Sequence, residues 1–171
     1  MNAALGSFIL FATLVAPGVP AGAAGVAPAA ADHHQHLFSP EIAALLAPAE
    51  AAPVPGAASG SNLELPAEKL IALLDSAGIK RALVLSTAYM FGAPNRQVDN
   101  EYAKVRAEND WTGAQAARYP ERLRAFCGVN PLRDYALAEI SRCAADPQLK
   151  HGLKLHFGNS RVQLEKPEHL A

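Results

Sequence analysis

The chain has 171 residues, 50% of them hydrophobic, 18% charged and 6% aromatic, with 15 Lys+Arg against 16 Asp+Glu. A formal charge of −1 and a pI near 6.6 argue against the basic face that nucleic-acid phosphates require. The length suits one ordinary core but falls short of the ~250 residues typical of a closed eight-stranded (β/α) barrel. Two cysteines, Cys127 and Cys143, are too few for a disulfide scaffold and lack the spacing of a redox pair or a zinc knuckle. Each is expected to be a buried free thiol.

Residues 1–30 carry no charged side chain, and residues 5–15 form a compact apolar segment closed by Pro17 and Pro20. That segment is too short to span a bilayer. Small residues follow, with Ala21-Gly22-Ala23 as an A-x-A processing site, so residues 1–30 read as a secretory signal, or else as a disordered leader. The expected location is secreted or periplasmic if the signal is used, and cytoplasmic otherwise.

In the remainder, 31–171, short apolar runs alternate with longer periodic ones. Residues 30–37 are expected to form a first strand, followed by a long Ala/Pro/Gly/Ser-rich loop over 39–66 with one helical turn near 41–46. Pro66 opens a helix whose face is Leu70, Ile71, Leu73 and Leu74, and Gly78 closes it. A second strand spans 82–86, a long helix 98–118, a third strand 123–130, and a third helix 135–145 with Leu137 and Ile140 turned inward. A fourth strand is expected over 152–157. Strand–helix alternation of this kind builds a parallel sheet. The first strand is not followed by the glycine-rich turn of a dinucleotide fold, so a (β/α) barrel of TIM type is preferred, cut to about four units as an open half-barrel.

Asp32, His34 and His36 occupy alternate positions of the first strand and would share one face. Imidazole is the commonest metal ligand, and two of them on one strand can reach the same zinc ion at about 2.0–2.1 Å. His34 and His36 are therefore the metal-ligand candidates, with Asp32 either orienting them or capping the strand entry. The pair ends its strand, where parallel barrels place their chemistry. Lys154 and His156 are likewise two apart and form the catalytic candidates. An inward lysine requires an anion, a metal-bound group or water. His156 fits a third ligand, an acid/base or a core imidazole. Ser86 and Asn130, at strand ends, are expected near the mouth, and Tyr89, Met90 and Phe91 either line an apolar wall or simply pack.

The chain resembles the amidohydrolase-related, metal-dependent hydrolases of TIM-barrel fold, the branch that includes aminocarboxymuconate-semialdehyde decarboxylase-like proteins. The resemblance rests on the D-x-H-x-H opening at 32–36, the helix-turn-strand at 73–84, the passage at 117–131 and the fourth strand at 152–156. It implies a divalent ion, zinc by expectation, held by His34 and His36 and activating water against an amide, ester or lactone. Non-oxidative decarboxylation on the same fold and a non-catalytic secreted metal-binding module are the alternatives. Further ligands in that family come from later strands, so the chain is expected to be the amino-terminal half of such a barrel, incomplete and inactive alone. The expected partner is a small-molecule substrate, with no nucleic acid, no membrane span, and a homo-oligomer among the options.

Overall fold

A computed structural model describes residues 29–47 and 63–169. The leader and most of the long loop lie outside the described residues. The elements run in the order β1 (Ala31–Gln35), α1 (Pro40–Leu46), α2 (Ala67–Ser76), β2 (Arg81–Leu85), a 3₁₀ turn (Ala88–Met90), α3 (Glu101–Ala117), β3 (Leu123–Gly128), α4 (Ala136–Ala145), β4 (Leu153–Lys154), α5 (Phe157–Ser160) and a closing 3₁₀ turn (Pro167–His169).

The four strands form one parallel sheet in the order β1-β2-β3-β4, curled as half of an α/β barrel. Ala82 and Val84 of β2, with Leu123, Ala125 and Cys127 of β3, point to one side and bury against Leu70 and Leu74 of α2 and Ala116 of α3. Alternation leaves Leu83, Leu85, Phe126 and Gly128 for the other, concave side. Gly128 is required there, because a Cβ on it would come within 2.5 Å of the Ser86 carbonyl oxygen. A second cluster of Ile42, Ala88, Phe91 and Val105 seats α1 and the first 3₁₀ turn against α3.

Local chemistry explains most element ends. Ser39 caps α1 by accepting from the Ile42 amide, and Gly78, at φ 69°, ends α2 in a conformation that costs glycine little. Pro66 sits one position earlier than expected, as the N-cap of α2 rather than its first helical residue, and offers no side-chain cap. The Gln115 side-chain oxygen of α3 takes that role from outside, accepting from the Ala67 amide at 2.9 Å. Asn109 similarly serves β3: its amide side chain both accepts from the Gly128 amide (2.9 Å) and donates to the Gly128 carbonyl (3.1 Å), extending the sheet's hydrogen bonding from a helix.

Four expectations need correction. Leu73 does not share the inward face of α2 but is 58% exposed, the buried residues of that helix being Ala67, Leu70 and Leu74. Cys127 and Cys143 are joined in a disulfide that ties β3 to α4, because the helix packs its Cys143 side directly on the strand. Leu137 is not inward but 78% exposed, and Ile140 is half-buried. The buried face of α4 is Ala136, Glu139 and Cys143, since Glu139 is drawn in by Asn109 (2.7 Å) and a two-pronged Arg142 bond while the disulfide fixes the rotation. Lastly, β4 is only two residues long, and Phe157 opens α5 instead of prolonging a strand.

Candidate metal and catalytic site

The site lies on the concave side at the carboxyl ends of β1 and β4. One irregularity sets it up. Asp32 pairs with Ala82 and Gln35 with Val84, so three steps on β1 match two on β2, and the strand carries a bulge. Asp32 stabilises that bulge: one oxygen accepts from the His34 amide at 2.9 Å and the other from the Gln35 side chain at 2.6 Å. The Gln35 bond, followed by the His34 amide, holds the Asp32 carboxyl below its ordinary pKa. Its contacts are thus to the backbone and to Gln35 rather than to either imidazole. It shapes the strand that carries the histidines, with Gln35 as its partner.

Past the bulge the rings of His34 and His36 meet edge to face, with their Nε2 atoms 3.2 Å apart. His36 Nδ1 lies 2.7 Å from the Leu85 carbonyl oxygen, which only accepts, so Nδ1 carries the proton and Nε2 presents a lone pair. Burial is the main reason His36 sits below the usual histidine pKa, with positive charge at Lys154, His34 and His156 adding to it against the opposing Leu85 bond. The ring is therefore kept neutral, the form that binds metals. Lys154 Nζ approaches His34 Nε2 to 3.4 Å. An ammonium has only donors, so Lys154 competes with His36 for this nitrogen, which accepts from the ammonium in one tautomer and donates to His36 in the other.

The two Nε2 atoms lie 3.2 Å apart, a distance at which His34 Nε2–H donates to the lone pair of His36 Nε2. Two nitrogens each about 2.0–2.1 Å from one zinc ion can be at most about 4.2 Å apart, and the observed separation falls within that limit. The donor set fits a divalent ion, and His34 is exposed on the side where further ligands or substrate would enter.

Side chains of the two edge strands reach each other here across the curled sheet. Three strand spacings of about 4.8 Å would hold β1 and β4 roughly 14 Å apart in a flat sheet. Lys154 also lies over the Tyr89 ring at 5.9 Å, and the His156 ring tilts against the same tyrosine at 5.2 Å. Tyr89 is buried and its phenol is pushed above its ordinary pKa by desolvation. His156 caps α5, its Nδ1 accepting from the Asn159 amide at 3.0 Å, so in the neutral ring the proton is on Nε2. Lys154 and His156 thus flank Tyr89, and Lys154 links them to the His34–His36 pair. Ser86 and Asn130 are buried by backbone duties: Ser86 Oγ accepts from the Ala88 amide, and Asn130 bonds the Gly92 carbonyl and the Leu132 amide. Neither presents a free group to the mouth. The Leu85 carbonyl was invisible to pattern reading, since every residue has one.

Among the described residues, the one cluster of three His, Cys, Asp or Glu side chains close enough for a common ion is Cys127, Glu139 and Cys143. Its two sulfurs are bonded to each other and its carboxylate is bonded to Arg142 and Asn109, so it is structural.

No protein-family model and no curated protein matches the chain. Among solved structures it is similar to one described as a probable 2-pyrone-4,6-dicarboxylic acid hydrolase of Acinetobacter baumannii with citric acid bound, at 18% identity and a TM-score of 0.41. The match covers 82% of this chain and 43% of that one, so the chain spans less than half the length of that structure. No helix among the described residues is long and apolar enough to cross a membrane.

Proposed function

We propose that this chain carries the amino-terminal half of a metal-dependent hydrolase site, in which His34 and His36 hold a divalent ion, zinc by preference. The observation that supports the reading is the convergence of two imidazole nitrogens to 3.2 Å, one ring locked in its tautomer by the Leu85 carbonyl. An ion held there supplies Lewis acidity and activates water at neutral pH. The protein's part is positioning. The Leu85 bond orients His36, and the bulge held by Asp32 brings His34 to face it.

Lys154 supplies a fixed positive charge beside the pair, suited to orient a carboxylate or to stabilise developing negative charge on a carbonyl oxygen. Its seat over the Tyr89 ring holds the ammonium toward the mouth. His156, with Nδ1 occupied by the Asn159 amide, offers an Nε2–H as a hydrogen-bond donor to a substrate oxygen. Substrate of small size with a hydrolysable carbonyl is the expected class. Export to an oxidising compartment fits both the apolar leader and the Cys127–Cys143 disulfide.

The test is metal content. At equilibrium with the same free zinc, the chain should bind up to one equivalent more than the chain with both His34→Ala and His36→Ala, read by mass spectrometry of the metal. Equal zinc in the two proteins would defeat the ligand assignment.

A further inference from the structure

Glu108 is a buried carboxyl that touches neither imidazole of the pair. It lies in the middle of α3, only 3% exposed, and among the described residues no basic side chain pairs with it. Its carboxyl accepts instead from two hydroxyls: Ser39 Oγ at 2.5 Å and Thr87 Oγ1 at 3.2 Å. A cavity of about 190 Å³ lined by Ser39, Pro40, Glu41, Ala107, Glu108 and Trp111 opens beside it. A carboxyl in such a place is costly unless its bonds hold something that matters.

The two donors identify what is held. Ser39 follows His36 by three residues, and Thr87 follows Leu85 by two. These are the first stretches of chain leaving β1 and β2, and the His36–Leu85 bond joins the same two segments just before them. We infer that Glu108 is a positioning residue for the imidazole pair: its carboxyl ties the segments leaving β1 and β2 to α3 and thereby holds His36 against the Leu85 carbonyl. The charged group that faces it from the packed elements is Glu41 of α1, whose like charge adds to burial in favouring the protonated form of Glu108. The inference rests on the metal-site reading only for its consequence in binding; the hold on His36 is a property of the metal-free chain.

The experiment therefore has two readouts on the full chain with 15N-labelled histidine. In the metal-free protein at about pH 8, His36 should show a single tautomer with the proton on Nδ1. In Glu108→Ala that signature should average between tautomers, and cobalt(II), followed by its absorption, should bind about tenfold more weakly, the lower end of what loss of outer support costs. Glu108→Gln keeps an acceptor oxygen and should restore both. Thr87→Val removes one donor at nearly constant volume and serves if the alanine variant fails to fold. A single His36 tautomer persisting in a folded Glu108→Ala or Thr87→Val chain overturns the inference. Averaged tautomers in the variant, together with no cobalt binding by the parent chain, uphold the positioning role and remove the metal reading.

Discussion

Glu108 also makes the stability of this protein depend on pH in a calculable way. Burial is the largest cause that raises its carboxyl, from an ordinary 4.5 to about 7, against the two hydroxyl bonds that lower it. In the folded chain the group therefore keeps a proton that the unfolded chain releases above about pH 4.5. Its stabilisation is fully present below that pH, is lost as pH rises, and is gone above about 7. At 1.36 kcal/mol per unit, the difference of roughly two and a half units amounts to about 3 kcal/mol. Glu108→Gln cannot ionise and should show no such loss. His36, whose pKa is lowered by burial, works in the opposite sense, favouring the fold above its unfolded value of 6.5 and less as pH falls. Because both chains contain His36, its contribution cancels in the comparison. Urea unfolding followed by circular dichroism at several values between pH 4.5 and 8, with the disulfide left oxidised, gives the difference between variant and parent. That difference should move by about 3 kcal/mol in favour of Gln across the window. Parallel pH curves would refute the assignment of a proton to buried Glu108.

Other outcomes follow from the same structure. Denatured, unreduced protein should contain no reactive thiol, and reduction should lower stability by about 3 kcal/mol, as expected for a loop near 15 residues; two titratable thiols before reduction would contradict the bridge. Leu137→Lys, on the exposed face of α4, should shift unfolding free energy by less than about 0.5 kcal/mol, whereas Leu70→Ala, buried between α2 and the sheet, should cost about 2–5 kcal/mol. Equal effects would mean α4 is rotated differently. Gln115→Ala should destabilise by about 1 kcal/mol through the uncapped Ala67 amide, read as a lower urea midpoint at unchanged slope.

Much of the fold could be read from the chain because its signals are local. The apolar run around 82–86, the proline and glycine stops at Pro66, Gly78, Pro120 and Pro131, and the 3.6-residue face of α2 each fix an element within a residue or two of its observed place. The parallel order follows from their alternation. Two elements depart from their local signals. Strand 4 was overdrawn because Leu153, Leu155 and Phe157 alternate as in a strand, yet the chain turns into α5 once His156 caps it. The rotation of α4 was misread because Leu137 and Ile140 are its most apolar residues, while a buried ion pair and a disulfide hold the other side inward.

The candidate site divides along the same line. Residue type and spacing alone nominate His34, His36, Lys154 and His156, although the bulge in β1 and the ends of β1 at Gln35 and β4 at Lys154 mean that strand alternation is not what brings them together. Glu108 left one legible trace: it lies on the helical face of Val105 and Thr112, which marks an inward position for a charged side chain. What remained out of reach depends on groups distant in sequence. The curl across which Lys154 reaches His34, the carbonyl of Leu85 that fixes one tautomer, and the cysteine pairing across 16 residues are all set by packing, and packing is a property of the assembled layers rather than of any segment. The sequence by itself determined which side chains are candidates for holding a cation; the tertiary structure decided that two imidazole nitrogens meet.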